Sequence, residues 1–122
     1  MRTFALLLAL LPLAVAHAGY DLHLTRRTHW ADEAGPRLER SEWDALASVD
    51  PEIRRDPRGD GSSYHYRTQH CSEHAFWWSE HDGELATTDP EQCGVAKLCR
   101  IAEALDASLQ GDDGEFYCTP TP

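Results

Sequence analysis

The first 18 residues decide how much of this 122-residue chain folds, and in which compartment. After Met1-Arg2, an apolar run extends from Phe4 to Val15, and Ala16-His17-Ala18 then gives the small-x-small pattern that signal peptidase recognises. The apolar run is shorter than the roughly 20 residues that a membrane span requires. We therefore predict that residues 1–18 are a secretory signal peptide. Residues 19–122 would form a single periplasmic or secreted domain, with no membrane attachment after cleavage.

The mature chain is strongly acidic. Removal of residues 1–18 removes one arginine, so 10 Lys and Arg remain against 21 Asp and Glu, a formal net charge of −11. Such a surface repels nucleic acid and anionic lipid and attracts basic partners, although excess charge also keeps a protein soluble. The composition therefore argues against a nucleic-acid-binding protein and favours a basic protein as the partner.

Hydrophobic periodicity predicts a strand and then a helix in the first half of the mature chain. Residues Tyr20–Thr25 alternate apolar and polar side chains, which is typical of a half-buried strand, with His23 on the polar side. The segment Leu38–Val49 has its apolar residues, Trp43 among them, at helical spacing. Asp50-Pro51 ends this helix, because a residue that precedes proline disfavours the helical conformation.

The middle of the chain predicts a loop followed by aromatic strands. Residues Arg54–Ser63 have no periodicity and predict a loop. The segments Tyr64–Thr68 and Ala75–Ser79 are rich in aromatic residues and predict strands. His81-Asp82-Gly83 predicts a turn, since glycine accepts positive φ, and Glu84–Thr87 is the expected returning strand.

A second helix and a last strand are predicted near the C-terminus. Asp89-Pro90-Glu91 has the residues of a helix start, with Asp89 as the cap. An apolar stripe at helical spacing follows, formed by Val95, Leu98, Cys99, Ala102 and Leu105. Ser108–Gln110 predicts a strand, the following Gly-Asp-Asp-Gly a bend, and Glu115–Cys118 an extended segment.

These elements give the order β-α-β-β-β-α-β. Strands and helices are mixed and do not strictly alternate, which indicates an α+β fold. We expect two helices packed on one face of a mainly antiparallel sheet, in one domain that spans residues 19–122.

All four cysteines, Cys71, Cys93, Cys99 and Cys118, lie in the mature chain, and an even number in an exported protein predicts two disulfides. Cys93 and Cys99 are six residues apart on the predicted second helix, so their Cα atoms would be roughly 9 Å apart, beyond the limit of about 7 Å. The predicted hairpin brings Cys71 towards the helix start, and the last strand brings Cys118 towards Cys99. We therefore predict the pairs Cys71–Cys93 and Cys99–Cys118.

The chain resembles a group of small uncharacterised bacterial proteins. The similarity rests on Tyr20–Thr25 followed by Trp30, on Ser41-Glu42-Trp43 with Asp50-Pro51-Glu52, and on the block Gln110–Glu115 with Tyr117. It covers most of the mature chain. The signal peptide and the four cysteines depart from that group, and the resemblance implies no catalytic residues.

Four histidines, His65, His70, His74 and His81, surround Cys71 and form the first candidate site. Histidine and cysteine bind zinc, but these spacings fit no standard zinc pattern and a disulfide-bonded Cys71 cannot be a thiolate ligand. Surface histidines that respond to external pH are the alternative interpretation. We expect no cofactor, while this segment stays open as a metal-binding candidate.

The acidic turn Asp112-Asp113-Gly114-Glu115 is the second candidate. Paired carboxylates hold calcium or perform acid–base chemistry, but the segment lacks the spacing of a calcium-binding loop. The same residues are ordinary turn formers, and a turn that projects from a sheet also serves as a recognition loop. Asp112, Asp113 and Glu115 are therefore candidate partner-binding residues.

Trp77 and Trp78 are the third candidate. Neighbouring residues on a strand face opposite sides of the sheet, so one tryptophan is expected in the core and the other on the far face. An indole on the far face would be a partner-binding anchor unless a loop covers it.

The chain contains no nucleophile elbow and no glycine-rich phosphate loop. We therefore expect an exported acidic binding protein that is not an enzyme: a periplasmic inhibitor or immunity protein that neutralises a basic toxin or hydrolase. The alternative is a small exported enzyme or metal-binding protein that uses the segment His65–His81 or the turn 112–115.

Overall fold

The computed structural model describes residues 19–118, so the predicted signal peptide lies outside the described residues. These residues form six strands and two helices. In chain order they are β1 (Asp21–Thr25), α1 (Arg40–Val49), β2 (Ile53–Arg55), β3 (Ser63–Tyr66), β4 (His74–Ser79), β5 (Glu84–Thr88), α2 (Gln92–Ala104) and β6 (Ser108–Gly111). None of the helices in this part of the chain is long and apolar enough to cross a membrane.

The six strands form one antiparallel sheet in the order β2-β3-β4-β5-β1-β6. The N-terminal strand β1 is therefore inserted between β5 and β6, where Leu24 lies opposite both Leu85 and Leu109. Together with the two helices, this sheet confirms the predicted α+β fold.

One apolar core joins both helices to one face of the sheet. Alternate residues of the strands contribute to it, including Leu24, Tyr64 and Phe76, because successive strand residues point to opposite faces. Trp43 of α1 is completely buried and packs edge-on against Tyr64 and Phe76, with ring centroids 5.1 and 5.4 Å apart. Helix α2 adds its own apolar stripe, including Leu98.

The two disulfides form the pairs that the sequence predicts. Cys71 pairs with Cys93 at a Cα–Cα distance of 5.9 Å, and Cys99 pairs with Cys118 at 5.6 Å. Both bridges end on α2, so they fasten the loop before β4 and the C-terminal extended segment to the same helix. Two disulfides are compatible with an extracellular or periplasmic location.

Two local predictions were wrong. The segment predicted to be a loop over Arg54–Ser63 begins with strand β2, which pairs with β3 at one edge of the sheet. Asp89 does not cap α2. Its backbone has a positive φ of 46°, and its carboxylate accepts a hydrogen bond from the Tyr20 amide, 3.0 Å away. Helix α2 begins later, at Gln92.

Candidate functional site

The face of the sheet opposite the helices carries polar side chains at its β5-β1-β6 end. His23, Glu84 and Gln110 project from this face, and all three are buried. The segment 26–38 between β1 and α1, here called the covering loop, closes over them. The sequence correctly assigned His23 to the polar side of β1, but the strand is buried on both faces and not on one only.

His23 lies between two carboxylates. Its Nε2 atom is 2.8 Å from Asp112 Oδ1, and its Nδ1 atom is 3.6 Å from Glu84 Oε1. The ring stacks on the indole of Trp30, with centroids 3.7 Å apart and planes inclined by 3°. His23 is 7% exposed and Glu84 is 3% exposed, so water reaches this pair poorly.

The pKa of His23 is raised from its ordinary 6.5 by the balance of two effects. Burial lowers it, because removal from water disfavours the charged ring, but the carboxylates of Glu84 and Asp112 outweigh the burial and stabilise the imidazolium. The pKa of Asp112 is lowered: burial raises it, but the Asp21 amide and the His23 ring more than compensate. The two carboxylates thus favour the protonated form of the His23 ring.

Trp30 attaches the covering loop to the turn after β6. Its indole Nε1 donates to the carbonyl oxygen of Asp112 at 3.1 Å, and its backbone amide donates to Gln110 Oε1 at 2.9 Å. The Gln110 amide nitrogen in turn donates to the carbonyl oxygens of Arg27 and Thr28. These bonds are the reason why a polar glutamine is completely buried here.

Five carboxylates gather at this end of the sheet, and we call them the acidic end. They belong to Asp21, Asp89, Asp112, Asp113 and Glu115. None of them forms an ion pair with a lysine or arginine among residues 19–118. Six of the ten basic residues of the mature chain instead pair elsewhere, with partners such as Glu42, Glu80 and Asp50.

The hydroxyl of Tyr20 organises the acidic turn. It donates to the carboxylate of Glu115, lies 3.4 Å from Asp113 Oδ2, and accepts the Asp113 amide at 3.3 Å. The bond to Glu115, with burial adding to it, raises the pKa of Tyr20 to about 12 and lowers that of Glu115. The turn is thus held in one conformation by side chains of the strand beside it.

The structure separates the three predicted partner-binding carboxylates by their roles. Asp112 accepts the Asp21 amide at 3.0 Å besides contacting His23, so it is a structural residue of the turn. Asp113 and Glu115 are exposed to solvent. They are therefore the members of the turn that a partner can reach directly.

The two tryptophans divide between the faces of β4, as expected. Trp78 is 3% exposed and belongs to the core, whereas Trp77 lies half-buried on the far face, opposite Ser63 and Ala86. In the register of the sheet, Ala86 also pairs with His23, which places Trp77 two strands away from His23 on the same face.

Exposed aromatic residues next to the acidic turn were missed from the sequence. Phe116 is 67% exposed and Tyr117 is 38% exposed, both on the extended segment that follows the turn. They border an open groove of about 1460 Å³ between this segment and α2, whose floor includes Val95, Cys99 and Leu109. The unbroken Phe-Tyr pair beside an acidic block was the available signal, but the sequence does not show which face of an extended segment is covered.

The candidate histidines after β2 have separate surroundings. His65 lies 3.3 Å from both Asp56 and Glu73, while His74 Nε2 is 2.9 Å from the Thr88 carbonyl oxygen. Within residues 19–118, the donor set from this region that is close enough for a metal ion is Cys71, Glu91 and Cys93, but both cysteines are in a disulfide.

Asp21, His23 and Asp112 also place donor atoms within 4.8 Å of one another. In this group the Nε2 atom of His23 and one oxygen of Asp112 lie in hydrogen-bond contact, and the other Asp112 oxygen accepts a backbone amide. We therefore interpret the group as hydrogen-bonded through a shared proton and not as a metal centre.

In comparisons with known proteins, no family model, no curated protein and no solved structure matches this chain.

Proposed function

We propose that this chain is an exported acidic protein that binds and neutralises a basic protein partner, as an inhibitor or immunity protein and not as an enzyme. The observation that carries the proposal is the acidic end, where five carboxylates lie together without an ion-paired lysine or arginine among the described residues. Elsewhere among the described residues, seven carboxylates do form ion pairs with an arginine or with Lys97. A basic surface would supply the missing counter-charges here.

The shape of the acidic end supports recognition by a protein. The turn is fixed by Tyr20 and by the Trp30 and His23 contacts with Asp112, so little conformational freedom is lost when a partner binds. Phe116 and Tyr117 lie directly beside it and offer aromatic contact area. Interfaces gain most of their affinity from such aromatic anchors and most of their association rate from charge.

Export and charge support the proposal further. The predicted signal peptide and the two disulfides suit a protein that acts outside the cytoplasm, where secreted hydrolases and toxins act. Cleavage after Ala18 adds an amino group at Gly19, next to Asp89, and His23 adds a second positive charge. Carboxylates still remain in excess at the acidic end.

The test is partner capture followed by binding kinetics. The mature protein is immobilised, partners are recovered from the extracytoplasmic fraction of the producing organism, and the association rate of each recovered partner is measured. The variant Asp113→Asn/Glu115→Gln removes two exposed charges from the turn. We expect its association rate to fall about 3- to 10-fold at low salt.

The matched control is Asp60→Asn/Glu80→Gln, which removes the same net charge from two exposed residues in the connections at the other end of the strands. We expect it to change the association rate much less. An equal reduction in both variants would mean that overall charge, and not this site, attracts the partner. An unchanged rate in both would reject the acidic end as a binding surface.

A further inference from the structure

Buried His23 contacts three segments that meet at the acidic end. Asp112 attaches it to the turn after β6, Glu84 attaches it to β5, and the stacked Trp30 attaches it to the covering loop. Trp30 also donates its indole proton to the Asp112 carbonyl oxygen. Protonated His23 presents one N–H to each carboxylate, so its charge supports contacts that hold a strand, a turn and a loop together.

We propose that protonated His23 is a latch that holds the Gly111–Glu115 turn and the covering loop against the sheet, and that loss of its positive charge loosens both. Only its consequence for partner binding rests on the proposed function; the latch itself is a property of the isolated protein.

Buried Glu84 requires a positively charged neighbour, and protonated His23 supplies that charge. Its side chain is 3% exposed, its Oε2 atom has no hydrogen-bond partner among the described residues, and its Oε1 atom faces the His23 ring. A buried carboxylate without a positive neighbour is strongly unfavourable, because water no longer stabilises its charge. Once His23 becomes neutral, Glu84 regains stabilisation only if water enters, and the covering loop is what excludes water.

The charged groups that face His23 all stabilise its protonated form. They are Glu84 from β5, Asp112 from the turn after β6 and Asp21 from β1 itself, each of which carries a carboxylate. The covering loop contributes the uncharged indole of Trp30, on which His29 also stacks at 5.8 Å. The two arginines of that loop nearest in sequence have other partners: Arg26 pairs with Glu42, and Arg27 directs its Nη1 atom to the Asp32 carbonyl oxygen.

The turn and the loop are packed closely enough to move together. Gly114 has φ +86°, and a Cβ atom added there would lie 2.7 Å from the His29 ring, so the turn backbone lies directly against the covering loop. Neutral His23 can still donate its Nε2 proton to Asp112, but the bond is then weaker than the charge-assisted one. Its weakening would disturb the contact between Gly114 and His29 as well as the bond from Trp30.

The sign of the pH dependence follows from the direction of the shift. The pKa of His23 is raised above 6.5 in the folded protein, so its proton stabilises the folded arrangement at low pH. This stabilisation is complete below the ordinary value and is lost as the pH rises through the higher, folded value. The acidic end is thus closed below the ordinary pKa of histidine and loosens as the pH rises through the higher, folded value.

Nuclear magnetic resonance on the mature, isotope-labelled protein tests the latch without a partner. The imidazole nitrogens of His23, the indole N–H of Trp30 and the amide of Gly114 are followed from about pH 5 to about pH 10. We expect His23 to titrate above 6.5, and the protection of the Trp30 indole and Gly114 amide protons from solvent exchange to fall with the same midpoint. A His23 midpoint at or below 6.5, or protection that is unchanged through the titration of His23, would overturn the latch.

Two variants test whether His23 and Glu84 cause the transition, and a third variant serves as the control. His23→Gln is expected to abolish the transition of the Trp30 signal, and Glu84→Gln to move it to lower pH, because one carboxylate that stabilises the proton is gone. His81→Gln, at an exposed histidine outside the cluster, is expected to leave the transition in place. An unchanged midpoint in a folded Glu84→Gln protein would contradict the role of Glu84, and if a variant does not fold, the titration of the native protein still decides.

The latch and the proposed function fail in different ways. If the pH transition occurs but no basic partner binds, the latch stands and the proposed function falls. If a partner binds through the acidic end without a pH transition at His23, the function stands and the latch falls.

Discussion

Gly94 lies in the first turn of α2, against the hydroxyl of Tyr66. A Cβ atom added at Gly94 would overlap the Tyr66 hydroxyl oxygen and lie 3.1 Å from its Cζ atom. That hydroxyl is buried without a hydrogen-bond partner among residues 19–118, and burial, followed by the charge of Glu91, raises the pKa of Tyr66 to about 12. Glycine, a poor helix former, is therefore required here by packing.

We predict that Gly94→Ala lowers the free energy of unfolding by about 1–2 kcal/mol, because overpacking outweighs the better helix propensity of alanine. In a Tyr66→Phe background, which removes the overlapping oxygen, the cost of Gly94→Ala should fall by at least half. Urea unfolding of the native protein, the two single variants and the double variant measures these free energies. The same cost in both backgrounds would show that the hydroxyl is not the obstacle.

At the level of single residues, the sequence predicts which face of a strand a side chain occupies better than it predicts which residues that side chain contacts. The alternation of β1 placed His23 correctly on the polar side, and the period of two in β4 separated Trp77 from Trp78. Nothing local shows that Trp30, seven residues later, folds back over the His23 ring. Contacts made by a loop depend on its path through space, which no periodicity encodes.

At the level of elements, the sequence predicted those with strong periodicity and missed the shortest one. Strand β2 has three residues, of which only Ile53 is buried, so it shows no alternation long enough to recognise. Its pairing with β3 comes from the tertiary position of Tyr66 opposite Ile53. The start of α2 was misplaced because Asp89 bonds the Tyr20 amide instead of its own helix, a contact between residues 69 positions apart.

Lys97 joins α2 to the segment between α1 and β2. It is 5% exposed, and its Nζ atom lies 2.6 Å from Asp50 Oδ2 and 2.8 Å from Glu52 Oε1. We predict that Lys97→Met lowers the free energy of unfolding by about 1–3 kcal/mol at neutral pH, because partly buried carboxylates lose their counter-charge. Arg100→Met, which removes an exposed cation from the same helix, should cost less than about 0.5 kcal/mol.

The cost of Lys97→Met should also depend on pH. The pKa of Asp50 is lowered from 3.8: burial raises it, but the hydrogen bond with Lys97 and other contacts more than compensate. A lowered folded value means that the stabilisation is present above the ordinary value and is lost as the pH falls through the folded one. Thermal unfolding at neutral and at acidic pH should show a smaller difference between Lys97→Met and the native protein in acid. A constant difference would contradict the assignment.

At the level of the whole molecule, the first expectation concerns processing. The Ala16-His17-Ala18 site predicts that the exported protein begins at Gly19. N-terminal sequencing of protein recovered from the extracytoplasmic fraction checks this directly. Exported protein that begins at Met1 would contradict cleavage and weaken the assignment of the compartment.

At this scale the sequence predicts the net charge of the molecule but not the arrangement of its acidic end. Composition predicted the excess of acidic residues, but it could not show that Asp21, Asp89 and the turn come together. Asp21 begins β1, Asp89 follows β5 and the turn follows β6, and these three strands meet only in the folded sheet. Nor could it separate Asp112, which is held inside the cluster, from the exposed Asp113.

The most direct test of this account is the salt dependence of partner association, measured by stopped flow with the captured basic protein. Exposed charges are screened within about 10 Å at 0.1 M salt, so an encounter steered by the acidic end must slow as salt is added. We predict that the association rate falls several-fold between about 0.05 and about 0.5 M salt, and that Asp113→Asn/Glu115→Gln flattens this dependence. An association rate that stays constant over this range in the native protein would contradict recognition of a basic partner through the acidic end.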